Sequence, residues 1–389
     1  MDKENANTST APTARLACFF ITMIAVVFFI SACASTAPTG IVSRIDPPRL
    51  AHLDGVVTAA APVAATPVLS GDFAAGMVTD AGGVNDQSFN QSAWHGLQRL
   101  SATIGAAVDY LESPTPELLP VNMATLVGRD KDIIWAIGFM SADAVVEQAL
   151  ENPQQMFGII DFYFGDAILP NVVAVDFLDN EATFVAGYLA ARHSNTGVIG
   201  FLGGMPIPVI HRFESGFRAG VLYANVTYGL EVVALVDYIN DFINADIARE
   251  ISSQMHAAGA DVLFAAAGGA GQGAIDAAIA YDIYVIGVDR NQADLAPNHM
   301  IVSTLKHVGE AIYDVSMRLS RGEEVGGQNL VYGLARNAVG ITPYIGSTAV
   351  LVDMDVHSSA MQISGRIARG ELQVPENLDE LMQFENSLQ

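Results

Sequence analysis

Short apolar runs alternate with longer amphipathic segments from about residue 71 towards the C-terminus. In one helical pattern, at residues 90–104, Ala93, Leu97, Leu100 and Ile104 share one face by their spacing. Strands that alternate with helices are typical of a parallel α/β fold. The runs that we interpret as strands are residues 73–78, 106–110, 133–137, 157–160, 172–175, 198–202, 232–236, 262–266, 285–288 and 301–303.

A polar stretch, TDAGGVNDQSFNQSAWHGL at residues 79–97, follows the first apolar run. It joins the first predicted strand to the first predicted helix, and ligands of open α/β sheets bind outside the carboxyl ends of the strands. Helix capping accounts for one short side chain, Ser88 or Asp86, but not for so many carboxylates and amides. Phe89 either packs onto the helix or offers an aromatic face. The stretch therefore predicts a recess for a neutral polar ligand with a flat ring.

Charged side chains also follow three later strands. Asp161 and Asp289 come directly after apolar runs, and Lys306 lies three residues after Ser303. Each of these signals is weak alone, because charged residues are common in loops. Together they predict a cleft lined from the ends of several strands.

The N-terminus is typical of an exported protein. An uncharged stretch, LACFFITMIAVVFFI, follows Arg15 and has the length of a signal-peptide core. Its last residue, Ile30, begins the sequence ISAC, which resembles the bacterial lipobox, so we expect residues 1–32 to be removed and Cys33 to be lipidated. The alternatives are an uncleaved helix and an ordinary signal peptide with a coincidental cysteine. Residues 33–70, rich in Ala, Pro and Thr, are interpreted as a tether.

Length, charge and cysteine content narrow the possible classes of protein. The 389 residues are enough for two domains. A formal net charge of −24, spread along the chain, argues against nucleic acid as a partner. The cysteines are Cys18 and Cys33, and the histidines lack metal-binding spacing, so we expect no disulfide framework, metal or cofactor.

One motif favours a different class of protein. Gly269, Gly271 and Ala274 have the spacing of a dinucleotide-binding loop, and Asp289 stands near the position of the acid that such sites use. This pattern alone would indicate an NAD-dependent oxidoreductase. The motif lies deep in an exported chain and no catalytic His or Cys arrangement accompanies it, so we keep this function as a remote alternative.

Several long motifs resemble the basic membrane protein family of nucleoside-binding lipoproteins. The resemblance begins with TDAGGVNDQSFNQSAWHGL and covers the chain from Gly71 to about Ile341. The other stretches that carry it, in the order of the family, are GFMSADAV, VIGFLGGMPIPVIHRFESGFRAG, GADVLFAAAGGAGQGAIDAA, VIGVDRNQ and STLKHVGEAIYD.

The resemblance implies an α/β type I periplasmic-binding-protein fold, with two Rossmann-like lobes, a hinge of three crossings and a ligand cleft between the lobes. We expect residues 71–177 and 325–389 in the N-terminal lobe and residues 178–324 in the C-terminal lobe. The implied function is that of a non-enzymatic receptor for purine ribonucleosides. Its implied partners are an ABC permease, an ATPase and the membrane that holds the lipid anchor.

The resemblance also implies which residues contact the ligand. The base would stack between Phe89 and a second aromatic ring, placed at Phe242 with Phe213 as the alternative. The acid that accepts from the base is placed at Asp161, with Asp143 as the alternative. Asp80 and Asn90 are further implied contacts in the first loop. Asp289 and Lys306 would hold the ribose, with Gly268 or Gly269 as the backbone contact beside Asp289.

Three residues depart from the family pattern. Gln87 replaces a frequent Lys, His95 replaces a frequent Glu, and Arg290 stands at a usually acidic or neutral position. Arg290 leaves open whether the ligand carries a sugar or a phosphate at that end. The open alternatives for function are a receptor for another planar ligand such as a flavin, and a sensor or adhesin without transport.

Overall fold

The structure, a computed structural model, describes residues 73–388. The predicted signal peptide, Cys33 and the tether lie outside these residues. Two six-stranded sheets form the described part, in the orders β11-β5-β4-β3-β1-β2 and β12-β10-β9-β8-β6-β7. The strands are β1 Ala74–Val78, β2 Ala107–Leu111, β3 Ile133–Ile137, β4 Met156–Ile160, β5 Val172–Phe177, β6 Val198–Gly203, β7 Val233–Tyr238, β8 Val262–Ala266, β9 Tyr284–Gly287, β10 Met300–Lys306, β11 Gln328–Tyr332 and β12 Val339–Ile341.

Each apolar run that predicted a strand corresponds to one of β1 to β10, with ends shifted by at most a few residues. Strands β11 and β12 were not predicted. All pairs in the two sheets are parallel apart from the antiparallel pair of β10 and β12. The predicted parallel α/β fold is therefore confirmed.

Helices connect the strands and cover the sheets. No helix within residues 73–388 is both long and apolar enough to span a membrane. The α-helices are α1 Phe89–Ile104, α2 Leu118–Val127, α3 Ala142–Glu151, α4 Asp179–His193, α5 Pro208–Tyr228, α6 Ala245–Ala257, α7 Gln272–Tyr281, α8 Val308–Ser320, α9 Gly346–Leu351, α10 Met354–Ala368 and α11 Leu378–Ser387.

The central strands are buried because parallel sheets are covered on both faces. Every residue of β3 and β8 is buried, and these strands consist of apolar residues throughout. Separate apolar clusters lie on the two faces of each sheet, which gives each lobe its own core. Because the cores hold the strands in place, the loops at the carboxyl ends of the strands can position the residues of a binding site.

The chain passes between the two lobes three times: after β5, after β10 and after β11. Helix α8 packs against α1 of the first lobe, whereas α10 and α11 pack against α4 and α5 of the second. This arrangement differs from the expected lobe limits, which placed 308–324 in the second lobe and all of 325–389 in the first. The difference arises because α8 packs on α1 and β12 pairs with β10, and neither contact leaves a signal in the apolar runs of the sequence.

Candidate functional site

A cavity lies between the lobes at the carboxyl ends of the strands. It contains about 690 Å³ of space free of atoms, part of it open to solvent. The structure brings Phe213 to its wall, so both candidates for the second aromatic ring lie there. Asp143 lies on an exposed face of α3 and is not part of the wall. The expected ligand contacts that line the cavity are Asp80, Phe89, Asn90, Asp161, Phe242, Gly268, Gly269, Asp289 and Lys306.

Asp86 organises the loop between β1 and α1. Its carboxylate accepts from the backbone N–H groups of Ser88 at 2.9 Å, Asn90 at 2.8 Å and Gln91 at 3.0 Å. The side chain of Ser88, the residue that precedes the first turn of α1, makes no capping hydrogen bond. Asp86 is thus the cap, since its two oxygens satisfy the otherwise unpaired N–H groups of the first turn.

The amide of Asn90 is fixed in orientation by two carboxylates. Its Nδ2 donates to Asp80 Oδ1 at 2.8 Å and to Asp86 Oδ2 at 3.0 Å. Asp80 Oδ1 also accepts from the N–H of Gly82 at 2.9 Å. Asn90 Oδ1 is consequently a buried acceptor with no hydrogen-bond partner among residues 73–388. A buried polar atom without a partner is costly, so a donor from a ligand would stabilise it.

Asp161 and Asp289 occupy equivalent places in the two lobes. Asp161 follows β4, and Asp289 lies two residues after β9. Each of these strands is the fourth in its sheet, counted from β2 in the first sheet and from β7 in the second. Both have left-handed backbone angles, with φ of 68° and 64°. Asp is among the few residues other than Gly that adopt this region, and such conformations cluster at functional sites.

Lys306, at the end of β10, is only 3% exposed and lies among carboxylates. Its Nζ donates to Asp161 Oδ2 at 2.8 Å and to Asp179 Oδ2 at 3.1 Å. Asp161 Oδ1 lies 2.7 Å from the same nitrogen, so both oxygens of this carboxylate are in contact with the ammonium group. The rings of Phe89 and Phe213 lie 5.2 and 5.5 Å from Nζ, within the range of cation–π attraction.

Burial shifts the pKa values of these charged groups. It raises the pKa of Asp80 to about 6 and that of Asp289 to about 6, against opposing hydrogen bonds from Asn90 and Ser88. It raises the pKa of Asp161 and takes that of Asp179 to about 7, although the charge of Lys306 acts in the other direction. For Lys306, burial acts to lower the pKa, but the surrounding carboxylates outweigh it and raise the pKa. The lysine therefore stays charged, and the carboxylates outnumber it.

Ser88 and Asp179 are polar residues at this site that the sequence analysis did not select as ligand contacts. Ser88 Oγ donates to Asp289 Oδ2 at 2.5 Å, which joins the two lobes beside the cavity. Nothing in the sequence indicates this contact, because the two residues are 201 positions apart. The sequence does contain a signal for Asp179, because it lies two residues after the end of β5, near the carboxyl end of a strand as Asp161 is. The apolar part of the wall includes Phe139, Met140, Ile207, Val209, Ile210 and Val288.

The residues that depart from the family pattern lie outside the cavity wall. His95 is exposed on α1. Arg290 donates from Nε to the carbonyl of Gln87 at 2.7 Å, and its Nη1 donates to Asp294 at 3.0 Å. Arg290 is thereby held at the mouth of the cleft and does not supply a cation to the interior. Within the described range 73–388, no cluster of His, Cys, Asp and Glu side chains has the arrangement of a metal site.

The two-lobed fold and its cleft are shared with solute-binding proteins. An ABC transporter solute-binding protein from Aeropyrum pernix has the same fold, with a TM-score of 0.74 and 23% identity over 81% of this chain and 97% of the other. A second such protein, from Conexibacter woesei, gives a TM-score of 0.64 at 23% identity, with 78% and 99% of the two chains covered. The type I periplasmic-binding-protein fold is thus confirmed.

The chain belongs to the Bmp family, described as PnrA-like ABC transporter substrate-binding proteins, whose model matches residues 73–377. It is 35% identical to the CD4+ T-cell-stimulating antigen of Listeria monocytogenes over 79% of this chain and 89% of that protein. It is 33% identical to basic membrane protein A of Borreliella burgdorferi over 78% and 88%.

Membership of this family gives the general function. The protein is a substrate-binding component of an ABC transporter, which implies a small-molecule ligand and permease and ATPase partners. Such components act on the extracytoplasmic side of a membrane. The family is one of solute-binding proteins and not of enzymes, so the dinucleotide-like spacing at Gly269 and Gly271 does not indicate an oxidoreductase.

Proposed function

We propose that this protein binds purine ribonucleosides in the cavity between its lobes and delivers them to an ABC importer. The observation that carries the proposal is the combination of Phe89 from one lobe and Phe242 from the other with buried acceptors on the same wall. Aromatic side chains stack on flat rings, and stacking adds about 0.5 to 1.5 kcal/mol beyond the burial of area. The polar atoms of the wall then determine which substituents the ring of the ligand must have.

The polar groups of the wall favour a ligand rich in hydrogen-bond donors. Asn90 Oδ1 is an acceptor without a hydrogen bond, and Asp80, Asp161 and Asp289 add carboxylate oxygens. A ribonucleoside supplies donors at both ends, from the N–H groups of the base and the hydroxyls of the ribose. A ligand that lacks one of these donors leaves a buried acceptor unpaired, which costs about 1 to 3 kcal/mol.

The positions of these groups suggest one orientation of the ligand. The base lies between Phe89 and Phe242, with Asn90 and Asp161 at its edge. The ribose lies towards Asp289 and Lys306, beside the backbone of Gly268 and Gly269. Gly268 has a φ of 53°, a conformation that lets the backbone approach a ligand without a side chain.

Titration calorimetry tests the proposal on the full chain in detergent, freed of bound ligand by unfolding and refolding. We expect tight binding of guanosine, adenosine or inosine, weaker binding of their 2′-deoxy forms, and no binding of NAD. Riboflavin, uridine and ribose complete the panel. Binding of riboflavin or ribose with no response to any purine nucleoside would contradict the proposed ligand.

A variant of Phe89 tests the stacking contact. We expect Phe89→Ala to weaken purine nucleoside binding by about 1 to 3 kcal/mol, because the base loses a stacking face. Phe89→Tyr keeps the ring and should bind nearly as the wild type does, with both variants equally stable to heat. An unchanged affinity of Phe89→Ala would remove this ring from the site.

We further propose that Cys33 carries a lipid anchor. The support is the signal-like stretch before it and the lipobox-like ISAC, both read from the sequence. Mass spectrometry of the mature N-terminus is the test. A mature N-terminus that starts elsewhere, or a Cys33 without an acyl group, would contradict the anchor.

A further inference from the structure

Three hydrogen bonds converge on Gln87 from the opposite lobe. Arg290 Nε donates to the carbonyl oxygen of Gln87 at 2.7 Å, and Gln292 Nε2 donates to the same oxygen at 3.2 Å. Arg290 Nη2 also donates to Gln87 Oε1 at 3.5 Å. Gln87 belongs to the loop between β1 and α1 of the first lobe, whereas Arg290 and Gln292 follow β9 of the second.

The donors on the second lobe are held in position before they meet Gln87. Arg290 Nη1 donates to the carbonyl of Asn291 at 2.8 Å and to Asp294 at 3.0 Å. Gln292 Oε1 accepts from the N–H of Val288 at 2.9 Å, and its backbone N–H donates to Ser303 Oγ at 3.1 Å. Donors that are already fixed lose little conformational entropy when the contact forms.

The acceptor is also held in a special geometry. Gln87 has a φ of 53°, in the left-handed region that residues with a side chain rarely adopt. Asp86, the neighbouring residue, fixes the loop by its bonds to the first turn of α1. The carbonyl of Gln87 is thereby presented to the other lobe by a local conformation that costs free energy.

These residues lie outside the ligand cavity. Gln87 and Gln292 line an outer recess that shares Gly82, Asp86, Gly268 and Gly269 with the wall of the cavity. The contact therefore spans the mouth of the cleft, and the lobes cannot separate at the mouth until it breaks.

We propose that Gln87, Arg290 and Gln292 form a latch that slows ligand release without contacting the ligand. The proposal rests on the ligand binding in the cavity. Hinge closure around a ligand is a common transition, and a contact present only in the closed state shifts that equilibrium towards closure. Most of its effect should appear in the dissociation rate, because an open cleft admits ligand whether or not the latch is intact.

Stopped-flow measurements with guanosine test the latch. We expect Arg290→Ala to raise the dissociation rate about tenfold, which corresponds to about 1.4 kcal/mol, with the association rate changed less than threefold. Arg249→Ala is the matched control, because Arg249 forms its ion pairs with Asp246 and Asp276 on its own lobe. A dissociation rate equal to that of the control would overturn the proposal.

A charge exchange provides a second test that does not depend on removing a side chain. Gln87→Lys places a cation beside the guanidinium of Arg290, and Arg290→Glu removes the donors, so each change should speed dissociation. The double variant pairs Lys with Glu across the mouth and should return the rate to within about threefold of the wild type, a coupling that independent sites do not show. Additive effects would mean that the two positions do not interact.

Hydrogen exchange of the ligand-free full chain tests the latch independently of which ligand the protein binds. The peptide that covers residues 82–91 should exchange faster in Arg290→Ala than in Arg249→Ala. Equal exchange would overturn the latch, even if nucleosides bind. If exchange differs but the wild type binds no nucleoside, the proposed ligand fails while the latch stands as the contact that holds the mouth closed.

Discussion

At the scale of single residues, the carboxylates of the cavity differ in how they are held. Asp86 is fully occupied by backbone and side-chain donors and serves the loop, whereas Asp161 and Asp289 extend from left-handed backbone positions into the cavity. The sequence predicted the places of Asp161 and Asp289, because both follow apolar strands. It could not predict the bond from Ser88 to Asp289, which depends on how the two lobes meet.

The raised pKa values of the cavity make binding depend on pH. Burial raises the pKa of both Asp80 and Asp289 to about 6, and protonation turns one acceptor oxygen of each carboxylate into a donor that cannot pair with a ligand donor. From about pH 7.5 to about pH 5, affinity for a purine nucleoside should fall about tenfold for each carboxylate that contacts it. Calorimetry across this range, with Asp289→Asn expected to show the smaller dependence, is the measurement. A flat profile would mean that neither acid accepts from the ligand.

The same groups affect the stability of the ligand-free protein in the opposite direction. An acid whose pKa is raised on folding binds more protons in the folded than in the unfolded state. Its contribution is therefore most favourable below the unfolded pKa and is lost as pH rises from about 4 to about 6. Binding and stability should thus respond oppositely to mild acid.

At the scale of elements, two pairs of helices meet through glycines. Helices α1 and α8 meet at Gly96 and Gly309, and α4 and α5 meet through glycines that include Gly216 and Gly220. A Cβ at Gly96 would lie 2.3 Å from the carbonyl oxygen of Gly309, and one at Gly220 would lie 2.0 Å from that of Phe184. The contact of α1 with α8 matters for the site because α1 begins with Phe89 and Asn90.

A glycine substitution tests this packing. Gly96→Ala should destabilise the protein by about 1 to 3 kcal/mol, since the added methyl meets backbone that cannot move aside easily. Gly128→Ala is the matched control: its φ is −67° and the nearest atom to an added Cβ is 3.6 Å away, so it should be neutral or slightly stabilising. Denaturant unfolding compares the two. Equal stability of both variants would show that the α1 and α8 contact can relax.

The elements that sequence patterns missed are those with little apolar character. Strand β11, QNLVY, lies at an edge of its sheet and is only partly buried, so it lacks the apolar run of a central strand. Strand β12 has three residues, too few for any pattern to stand out. Central strands were predicted well for the converse reason, because burial on both faces requires continuous apolar sequence. Of these two strands, β11 lies in the lobe expected for it, whereas β12 lies in the other lobe.

At the scale of the whole molecule, charge distinguishes nucleosides from nucleotides. The formal net charge is −24, and the carboxylates of Asp80, Asp161 and Asp289 line the cavity against the cation of Lys306. A phosphate about 6 Å from a carboxylate at an effective dielectric constant of about 20 is repelled by about 3 kcal/mol. The negative charge of the whole molecule and that of the cavity both disfavour a phosphorylated ligand.

We therefore expect guanosine 5′-monophosphate to bind about 100-fold more weakly than guanosine, as this repulsion requires. The difference in affinity between the two compounds should become smaller as the salt concentration is raised, because ions screen the solvent-exposed carboxylates and phosphate. Competition titrations at low and high salt measure both effects. Equal affinities for the two compounds would show that the sugar end of the ligand faces solvent or a cation.

The order in which the strands appear along the chain has a consequence for synthesis. The first sheet lacks its edge strand until residue 332 has been made, and the second until residue 341, while α10 and α11 follow later still. Contacts between residues far apart in the sequence form slowly, and here they require β11 and β12 to have been made. Neither lobe can therefore complete its sheet before that point. For a protein that works beyond the membrane, a late-closing sheet favours export, because an incompletely folded chain is easier to translocate.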